Sequence, residues 1–269
     1  MSGYSRGMTD PHFARDKRAE RHQAIIAFVA EHGTATAAEL AGLTDMSKMT
    51  INRDIDDLAN RGFLRRFHGG VSAHATSVFE SSSEFRMQRN APAKQALARK
   101  ALELIEPGMS VMLDDSTTVL ALAHLLVDVQ PLTVVSNFRP VEQLFCDLSE
   151  VQFFMIGGLY SRSHDSYISP ATLTGLDNYA VDFTFHSSSA VDSVRTYHQE
   201  QNVIEMKLAM LECGTRKVLM VDSSKVGRTS LHRFAELSDF TDVIITSDVD
   251  PSFVEKISEV TTVHVAELP

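Results

Sequence analysis

Polar side chains that bind anions and hydroxyl groups recur behind short apolar runs from residue 110 onward. The segment "DDSTT" (114–118) follows "SVML", Asn137 follows "LTVVS", and Gly157-Gly158 follow "VQFFMI". The segment "HSSS" (186–189) follows "DFTF", and Lys225 lies shortly after "KVLMV". Phosphate prefers N–H and ammonium donors, whereas carboxylates and amides suit sugar hydroxyls. This set of residue types predicts a binding site for a phosphorylated sugar.

The candidate ligand-binding residues are Asp114, Asp115, Ser116, Thr117, Thr118, Asn137, Gly157, Gly158, Ser187, Ser188, Lys207 and Lys225. Simpler roles stay open, because a serine or threonine behind a strand is as often a helix cap. Gly157-Gly158 can be a turn, and Lys207 a solvated lysine. We assign no catalytic residue, and His186 is interpreted as a buried, hydrogen-bonded histidine.

Neither a metal ion nor a nucleotide cofactor is expected. The eleven histidines form no HxxxH or HxH pair, which argues against a metal site. The chain also lacks the glycine-rich motifs GxGxxG and GxxxxGK[ST], which leaves nucleotide binding unsupported.

The elements that must position these residues alternate between strand and helix. The predicted strands are "SVMLD", "LTVVS", "VQFFMI", "DFTFHSS", "KVLMV", "DVIIT" and "TTVHV", with helices such as "PAKQALARKALELI" and "NVIEMKLAMLEC" between them. Apolar strands separated by helices indicate a mainly parallel sheet covered on both faces. Ligands of such sheets bind at the carboxyl ends of the strands, where the candidate residues lie.

A second chemical pattern lies near the front of the chain, in "SKMTINRDIDDLANRGFLRRFHGG" (47–70). Ser47 is a good N-cap, and Ile51, Ile55 and Leu58 form one apolar stripe of the helix that follows. Met49, Asn52 and Arg53 then fall on the opposite side, with Thr50 at its margin. A short, polar and basic leading turn is what a helix needs to enter a DNA groove.

Two more helices are predicted before this one, in "RAERHQAIIAFVAEHG" and in "TATAAELAGL", where Thr36 and Glu39 fit a capping box. Behind the third helix, which we expect Gly62 to end, "FLRRFHGGVSAH" predicts a basic hairpin whose glycine turn approaches the DNA backbone closely. The candidate DNA-binding residues are Arg21, Ser47, Lys48, Met49, Thr50, Asn52, Arg53, Arg65, Arg66, His68 and Gly69.

The charge distribution restricts DNA binding to the front of the chain. Residues 1–75 carry 10 Lys and Arg and 9 Asp and Glu, out of 25 and 35 in all, so the remainder has a net charge of −11. Such a body repels nucleic acid. The longest charge-free apolar run, "STTVLALAHLLV", is shorter than the roughly 18–20 residues that a membrane span needs. Two distant cysteines suit a reduced, cytoplasmic setting.

The segment "MSKMTINRDIDDLANRGFLRRFHGG" resembles the signature of the DeoR family of bacterial transcriptional regulators. "MLDDSTT", "TVVSN", "IGG", "EMK" and "LMVDSSKVG" resemble later blocks of that family in the same order. The resemblance implies a ribose-5-phosphate isomerase-like α/β sensor domain with a mainly parallel sheet, preceded by a small winged helix-turn-helix domain. Asn52-Arg53 stands where the family has two basic residues, and Ser116 where it has a loop glycine.

The resulting domain prediction is a winged helix-turn-helix DNA-binding domain (18–74), a linker (75–92) and an effector-sensing α/β domain (93–269). We expect a repressor of carbohydrate metabolism genes that a sugar phosphate or related metabolite controls. Its expected partners are a double-stranded DNA operator and that effector, with no membrane, and the resemblance implies a homodimer or homotetramer. The alternatives are a sugar-phosphate isomerase or transferase with a DNA-binding head, and an architectural DNA-binding protein without a ligand.

Overall fold

The computed structural model describes residues 32–60, 64–67, 69–73, 86–87, 89–169, 173 and 175–269, together with residues 18, 21, 22, 24–26, 28 and 29. The chain divides into two compact units, the head unit (1–85) and the α/β unit (86–269). Most of the predicted linker, 75–92, lies outside the described residues, so its bounds stay a prediction.

The head unit combines short helices with a small antiparallel sheet. Its described residues between 18 and 32 are helical. The elements that follow are β1 (Thr34–Ala35), α1 (Ala37–Thr44), α2 (Lys48–Asn60), β2 (Leu64–Phe67) and β3 (Gly70–Ala73). β2 and β3 form the predicted hairpin, and β1 pairs with β3 to make a three-stranded sheet. The hairpin prediction is confirmed, whereas β1 was not expected, because two residues carry no strand periodicity.

Local capping defines where the helices of the head unit begin. The Glu39 amide donates to the Thr36 hydroxyl at 3.2 Å, and the Thr36 amide donates to the Glu39 carboxylate at 2.8 Å, which confirms the capping box. The Thr50 amide donates to Ser47 Oγ at 3.2 Å, so Ser47 caps α2 as predicted. Gly62, expected to end that helix, lies outside the described residues.

Strands and helices alternate along the α/β unit. The strands of its main sheet are β4 (Ser110–Leu113), β5 (Leu132–Ser136), β6 (Val151–Met155), β9 (Val181–His186), β12 (Gly214–Val221), β14 (Asp242–Thr246) and β15 (Thr262–Ala266). The helices are α3 (Ala91–Leu102), α4 (Thr117–Leu126), α5 (Arg139–Phe145), α6 (Gln201–Glu212) and α7 (Pro251–Ile257). These strands are the seven that the sequence predicted.

The seven strands pair in the order β15-β14-β12-β9-β4-β5-β6, and each neighbouring pair is parallel. The prediction of a mainly parallel α/β fold behind a winged helix-turn-helix domain is confirmed. The order places β4 between β9 and β5, with β12 beyond β9. The loops that leave the carboxyl ends of β4, β9 and β12 are therefore neighbours, although β4 ends at Leu113, β9 at His186 and β12 at Val221.

Both faces of this sheet are buried, because successive side chains of a strand point to opposite sides. Met220 packs with the core formed by α3 and α4, whereas Leu219 and Val221 pack with the core on the other side. Ile244 and its neighbours Val243 and Ile245 divide in the same way. Continuous apolar strands of this kind are typical of a parallel sheet with helices on both faces.

Two smaller antiparallel structures were not predicted, because their strands are short and polar. β7 (Tyr160–Ser161) and β8 (Ser166–Tyr167) form a hairpin behind β6. β10 (Ala190–Val191), β11 (Arg195–His198) and β13 (His232–Glu236) form a separate three-stranded sheet.

A buried carboxylate ties together β12, β14 and β15 at one side of the sheet. Asp242, at the start of β14, accepts from Arg216 Nη2 at 2.5 Å and from Thr241 Oγ1 at 2.7 Å, and His264 Nε2 lies 2.8 Å from it. Burial opposes ionisation of this carboxyl, but the hydrogen bonds from Arg216, Thr241 and His264 outweigh it and lower the pKa of Asp242.

We predict that Asp242→Asn destabilises the α/β unit by about 1–2 kcal/mol at pH 7, because bonds to an ionised group become neutral ones. A depressed carboxylate pKa stabilises the fold above the unfolded value and loses that effect as the pH falls through the folded value. The difference from wild type should therefore shrink below about pH 4. Urea unfolding at several pH values measures it, with the exposed Asp147→Asn as control. A difference that stays constant to pH 3 would contradict the assigned role.

Candidate functional site

α2 of the head unit separates a buried face from a polar one. Ile51, Ile55 and Leu58 are buried. Asn52 and Arg53 are exposed, and Met49 exposes 68% of its surface. Ser47 and Lys48 are also exposed, and Thr50 is half-buried. The structure thus brings the predicted leading turn to the surface as one polar and basic patch.

The β2–β3 hairpin extends that patch. Arg65, Arg66 and Phe67 are exposed, and Gly69 at the turn has a φ of +99°. A Cβ on Gly70 would lie 2.5 Å from the Ala35 carbonyl oxygen, so the close approach of β1 requires glycine there. His68 lies outside the described residues.

Arg66 joins the hairpin to α2. Its Nη2 donates to Asn52 Oδ1 at 2.8 Å, and its Nε lies 3.2 Å from Asp56 Oδ1. The two predicted elements of the DNA-binding surface are therefore connected through a direct side-chain contact.

Arg21 does not lie in this patch. Its Nε donates to the buried Asp54 carboxylate at 2.6 Å, its side chain is only 15% exposed, and His22 Nε2 lies 2.9 Å from the same carboxylate. These contacts assign Arg21 a positioning role for α2, so we leave it out of the proposed DNA-binding surface. Burial opposes ionisation of Asp54, but its bonds to Arg21 and His22 lower its pKa.

In the α/β unit, the loops behind β4 and β9 meet at a buried ion pair between Lys207 and Asp114, hereafter the central ion pair. Asp114 is fully buried and also accepts from the amides of Ser116 at 2.9 Å and Ser187 at 3.0 Å. Burial would raise the pKa of Asp114, but the charge of Lys207 and the adjacent His186 hold it well below its usual range.

Lys207 is engaged by the protein itself. Besides Asp114, its Nζ donates to the Ser187 carbonyl at 3.2 Å and lies 3.6 Å from Asp115. The side chain is only 3% exposed, so the alternative of a solvated lysine is wrong. Two hydrogen bonds and a longer ion pair thus engage the ammonium, so Lys207 holds the loops behind β4 and β9 together.

Asp115 reaches across to the β7–β8 hairpin, where Ser166 Oγ donates to its Oδ2 at 2.8 Å. Burial opposes its ionisation, but the charges of Lys207 and His164 lower the pKa of Asp115. Beside this hairpin, Asn137 Nδ2 donates to the Tyr167 carbonyl at 3.1 Å, whereas Asn137 Oδ1 is buried without a partner among the described residues.

Three further cations surround the amino-terminal end of α4. We call Arg86, Lys94 and Lys225 the cation triad. Lys94 Nζ donates to Thr117 Oγ1 at 2.9 Å and to the Arg86 carbonyl, and Lys225 Nζ donates to Ser187 Oγ at 2.9 Å. Nε and Nη2 of Arg86 are buried and have no hydrogen-bond partner among the described residues.

Burial and mutual repulsion weaken the charged state of the triad. Burial, followed by the charges of Lys225 and Arg86, lowers the pKa of Lys94 to about 7. Burial also lowers the pKa values of Arg86 and Lys225, although nearby carboxylates such as Asp115 and Asp222 oppose it. A site with several buried cations and unsatisfied donors is arranged to receive an anion.

Sequence reasoning missed Arg86 and Lys94. Arg86 falls in the stretch interpreted as a linker, and Lys94 is one of several basic residues on a helix that reads as amphipathic. Lys94 binds the carbonyl of Arg86, eight residues earlier. This contact depends on the turn at Asn90, which has a φ of 55°, so the spacing alone does not predict it.

The remaining candidates have smaller local roles. Ser116 Oγ accepts from the Val119 amide at 3.2 Å and caps α4, and Ser188 Oγ donates to the Ala190 carbonyl at 3.2 Å. Thr118 is buried. Among the described residues, no hydrogen bond or ion pair links Gly157 or Gly158 to the central ion pair or the triad.

Two family models match the chain. The DeoR-like helix-turn-helix domain matches residues 21–77, and the DeoR C terminal sensor domain matches residues 89–248. The second match covers more than half of the chain and includes the central ion pair, Lys94 and Lys225, whereas Arg86 lies just before it.

Several curated regulators are similar over most of their length. The L-fucose operon activator of Haemophilus influenzae is 34% identical over 81% of this chain and 88% of its own. The glycerol-3-phosphate regulon repressor of that organism is 31% identical over 90% and 94%. An uncharacterized HTH-type transcriptional regulator of Escherichia coli is 31% identical over 85% and 89%.

Among solved structures, ribose 5-phosphate isomerase A of Methanocaldococcus jannaschii is 17% identical over 51% of this chain and 55% of its own, with a TM-score of 0.37. Within the described ranges, no helix is both long and apolar enough to cross a membrane. The two family matches and the relatives at 31–34% identity agree with the observed winged head and parallel α/β unit. The chain belongs to the DeoR family of transcriptional regulators.

Proposed function

We propose that this regulator binds operator DNA through its head unit and is released by an anionic effector, a phosphorylated sugar or related metabolite, held in its α/β unit. The observation that carries the proposal is the cation triad, in which Lys94 binds Thr117, Lys225 binds Ser187 and two donors of Arg86 have no partner among the described residues. A bound phosphate would satisfy those donors and offset the mutual repulsion of the three cations.

The central ion pair explains why the triad, and not Lys207, is the better anion site. Lys207 is neutralised by Asp114, with which it shares a direct contact. A phosphate that competed for Lys207 would have to displace a carboxylate in a buried setting, where leaving one charge unpaired costs several kcal/mol. Within the part of the chain that the structure describes, Lys94 and Lys225 bind hydroxyl and carbonyl oxygens, which an anion replaces at lower cost.

Acceptors for sugar hydroxyls lie behind the carboxyl ends of strands β4, β5 and β12 of the same sheet. Asn137 Oδ1 is buried without a partner among the described residues, and Asp115 accepts one hydrogen bond from Ser166. Asp222 accepts from Asn90 Nδ2 at 3.1 Å and from Ser224. Carboxylate and amide oxygens beside a phosphate site suit a polyol, which supports a sugar phosphate over inorganic phosphate as effector.

Arg86 offers a route from the effector to the head. It falls within the predicted linker, 75–92, and its guanidinium belongs to the cation triad. An anion that binds Arg86 restrains the end of the linker. A ligand changes DNA affinity only if it binds one conformational state of the protein more tightly than another, and a restrained linker would be such a state.

The alternative of an isomerase or transferase is less well supported. Asp114 accepts from Ser116, Ser187 and Lys207, and its pKa lies well below the usual range. A carboxylate held in this way is a poor general acid or base near neutral pH. The named relatives are transcriptional regulators, and we infer that this chain has no catalytic residue.

Control of carbohydrate genes is inferred from the names of the relatives, which include a fucose operon activator and a glycerol-3-phosphate regulon repressor. We favour repression and a cytoplasmic location. We also favour assembly as a homodimer or homotetramer, because paired heads on repeated sites multiply affinity for DNA.

The test is a screen of phosphorylated and free sugars for release of the full-length protein from the DNA upstream of its own gene. A sugar phosphate that releases the protein and raises its melting temperature supports the proposal. Stable DNA binding with no response to any sugar phosphate, or turnover of one of them, would overturn the effector assignment.

The screen also defines a prediction for the triad. Arg86→Gln and Lys94→Gln should each weaken effector binding by about 1–3 kcal/mol, because each removes a bond to a charged group, while affinity for DNA without effector is kept. Calorimetric titration measures the loss. Arg99→Gln, an exposed cation on the same helix as Lys94, is the control and should bind as wild type. Equal effector affinity in all three variants would show that the phosphate binds elsewhere in the protein.

Effector affinity should also depend on pH. Because the pKa of Lys94 is about 7, free Lys94 loses its proton above that pH, whereas a bound phosphate favours the ammonium. Affinity should therefore fall between pH 7 and 9, by up to about tenfold per unit for one coupled proton. Lys225, with a lowered pKa, acts in the same direction, so Lys94→Gln should flatten the profile without abolishing it. An identical pH dependence of effector affinity in wild type and Lys94→Gln would show that Lys94 is not the group that titrates.

DNA binding should depend on salt through the hairpin. Arg65→Ala should weaken binding about equally on every sequence and reduce the slope of log affinity against log salt by about one, since one phosphate contact is lost. Fluorescence anisotropy at several salt concentrations measures the slope, with Arg99→Gln as control. An unchanged slope would place Arg65 away from the phosphates.

A further inference from the structure

The outward face of α2 carries one pair of side chains that is free of the hairpin. Met49 is 68% exposed, and Arg53 lies one turn further on, with its Nη2 3.9 Å from Met49 Sδ. Most of the Met49 surface is therefore not packed against the described residues of the head unit. Its neighbour Arg53 is exposed as well.

Asn52, between them in sequence, has both ends of its amide occupied. Its Nδ2 donates to the Lys48 carbonyl at 2.9 Å, and its Oδ1 accepts from Arg66 Nη2 at 2.8 Å. Reading adenine requires the same two atoms, since asparagine donates to N7 and accepts from the N6 amino group. The amide retains a second N–H and a second lone pair, but its bonds to Lys48 and Arg66 already fix its orientation toward the hairpin.

Arg66 gains a fixed position from this arrangement. Its Nε pairs with Asp56 at 3.2 Å, and its side chain remains 47% exposed. Such an exposed pair adds little stability, but two anchoring points restrict the rotamers of a long side chain. The guanidinium keeps free donors toward solvent, where a phosphate can bind.

We propose that Met49 and Arg53 read the operator sequence and that Asn52 is a positioning residue, which holds Arg66 for a phosphate contact. Arg53 pairs with O6 and N7 of a guanine, and Met49, which has no donor, contacts the C5 methyl of a thymine. The operator half-site therefore contains a guanine and a thymine that these two residues recognise. The inference rests on the proposed function, because it assigns roles within the same DNA-binding surface.

The experiment begins with selection of a consensus duplex from a randomised DNA library by the full-length protein. Each variant is then measured on that duplex, on duplexes with one base pair changed, and on duplexes with one thymine replaced by uracil, which removes only the methyl group. The variants are Met49→Ala, Arg53→Ala, Asn52→Ala, Arg66→Ala and Asn52→Ala with Arg66→Ala. Thermal unfolding confirms that each is folded.

We expect wild type to lose affinity at one uracil position, and Met49→Ala to bind the thymine and uracil duplexes equally. Arg53→Ala should reduce discrimination at one guanine by at least about fivefold. Asn52→Ala should lose affinity by the same factor on every duplex. The double variant should be no weaker than Arg66→Ala alone, because Asn52 acts through Arg66.

Loss of discrimination at an A·T pair in Asn52→Ala, with an unchanged profile in Met49→Ala, would overturn the inference and leave the regulator assignment intact. Failure of wild type to enrich any sequence would instead count against sequence-specific DNA binding itself.

Discussion

The central ion pair is the contact on which the α/β unit depends. Lys207 comes from α6, Asp114 from the loop behind β4, and the Ser187 groups that bind both come from the loop behind β9. Taking two such charges out of water costs several kcal/mol per ion, and only direct pairing with complete hydrogen bonding offsets that cost. The amides of Ser116 and Ser187 supply this bonding. The pair thereby fixes two loops and a helix in one arrangement, and neither partner is available for another charge.

The cation triad depends on that arrangement. Because Lys207 is already matched by Asp114, we propose that Arg86, Lys94 and Lys225 supply the positive charge for the effector. These cations lie in a unit with an acidic excess, so net charge is a poor guide to what the site binds. The local arrangement of charges determines which ligand charge the site favours. Buried charges a few ångströms apart interact strongly, whereas distant surface charges are screened by salt. Burial, followed by the charges of Lys225 and Arg86, lowers the pKa of Lys94.

The head unit also contains a buried carboxylate that cationic side chains hold in place. Asp54 lies on the buried side of α2 and is held by Arg21 and His22. This contact, together with the apolar stripe of Ile51 and Ile55, sets the rotation of α2 about its axis. The polar leading turn therefore faces outward. In each unit a buried carboxylate matched by cations lies behind the surface or pocket that we propose as the binding site.

The sequence by itself determined the order and type of the main elements, because capping residues and periodicity are local. Ser47, the Thr36–Glu39 capping box and the seven apolar strands were predicted in this way. It also determined the rotation of α2, since an apolar stripe can face only the core. The partners of the polar side chains were decided by the tertiary structure. The order of the strands brings Lys207 to Asp114, 93 residues earlier, and a turn brings Lys94 to Arg86. Periodicity carries no information about such contacts, because they arise from how strands pair and not from neighbouring residues. The same holds for Asn52 and Arg66: their types suggested base and phosphate contacts, but the bond between them exists only once the hairpin folds against the helix.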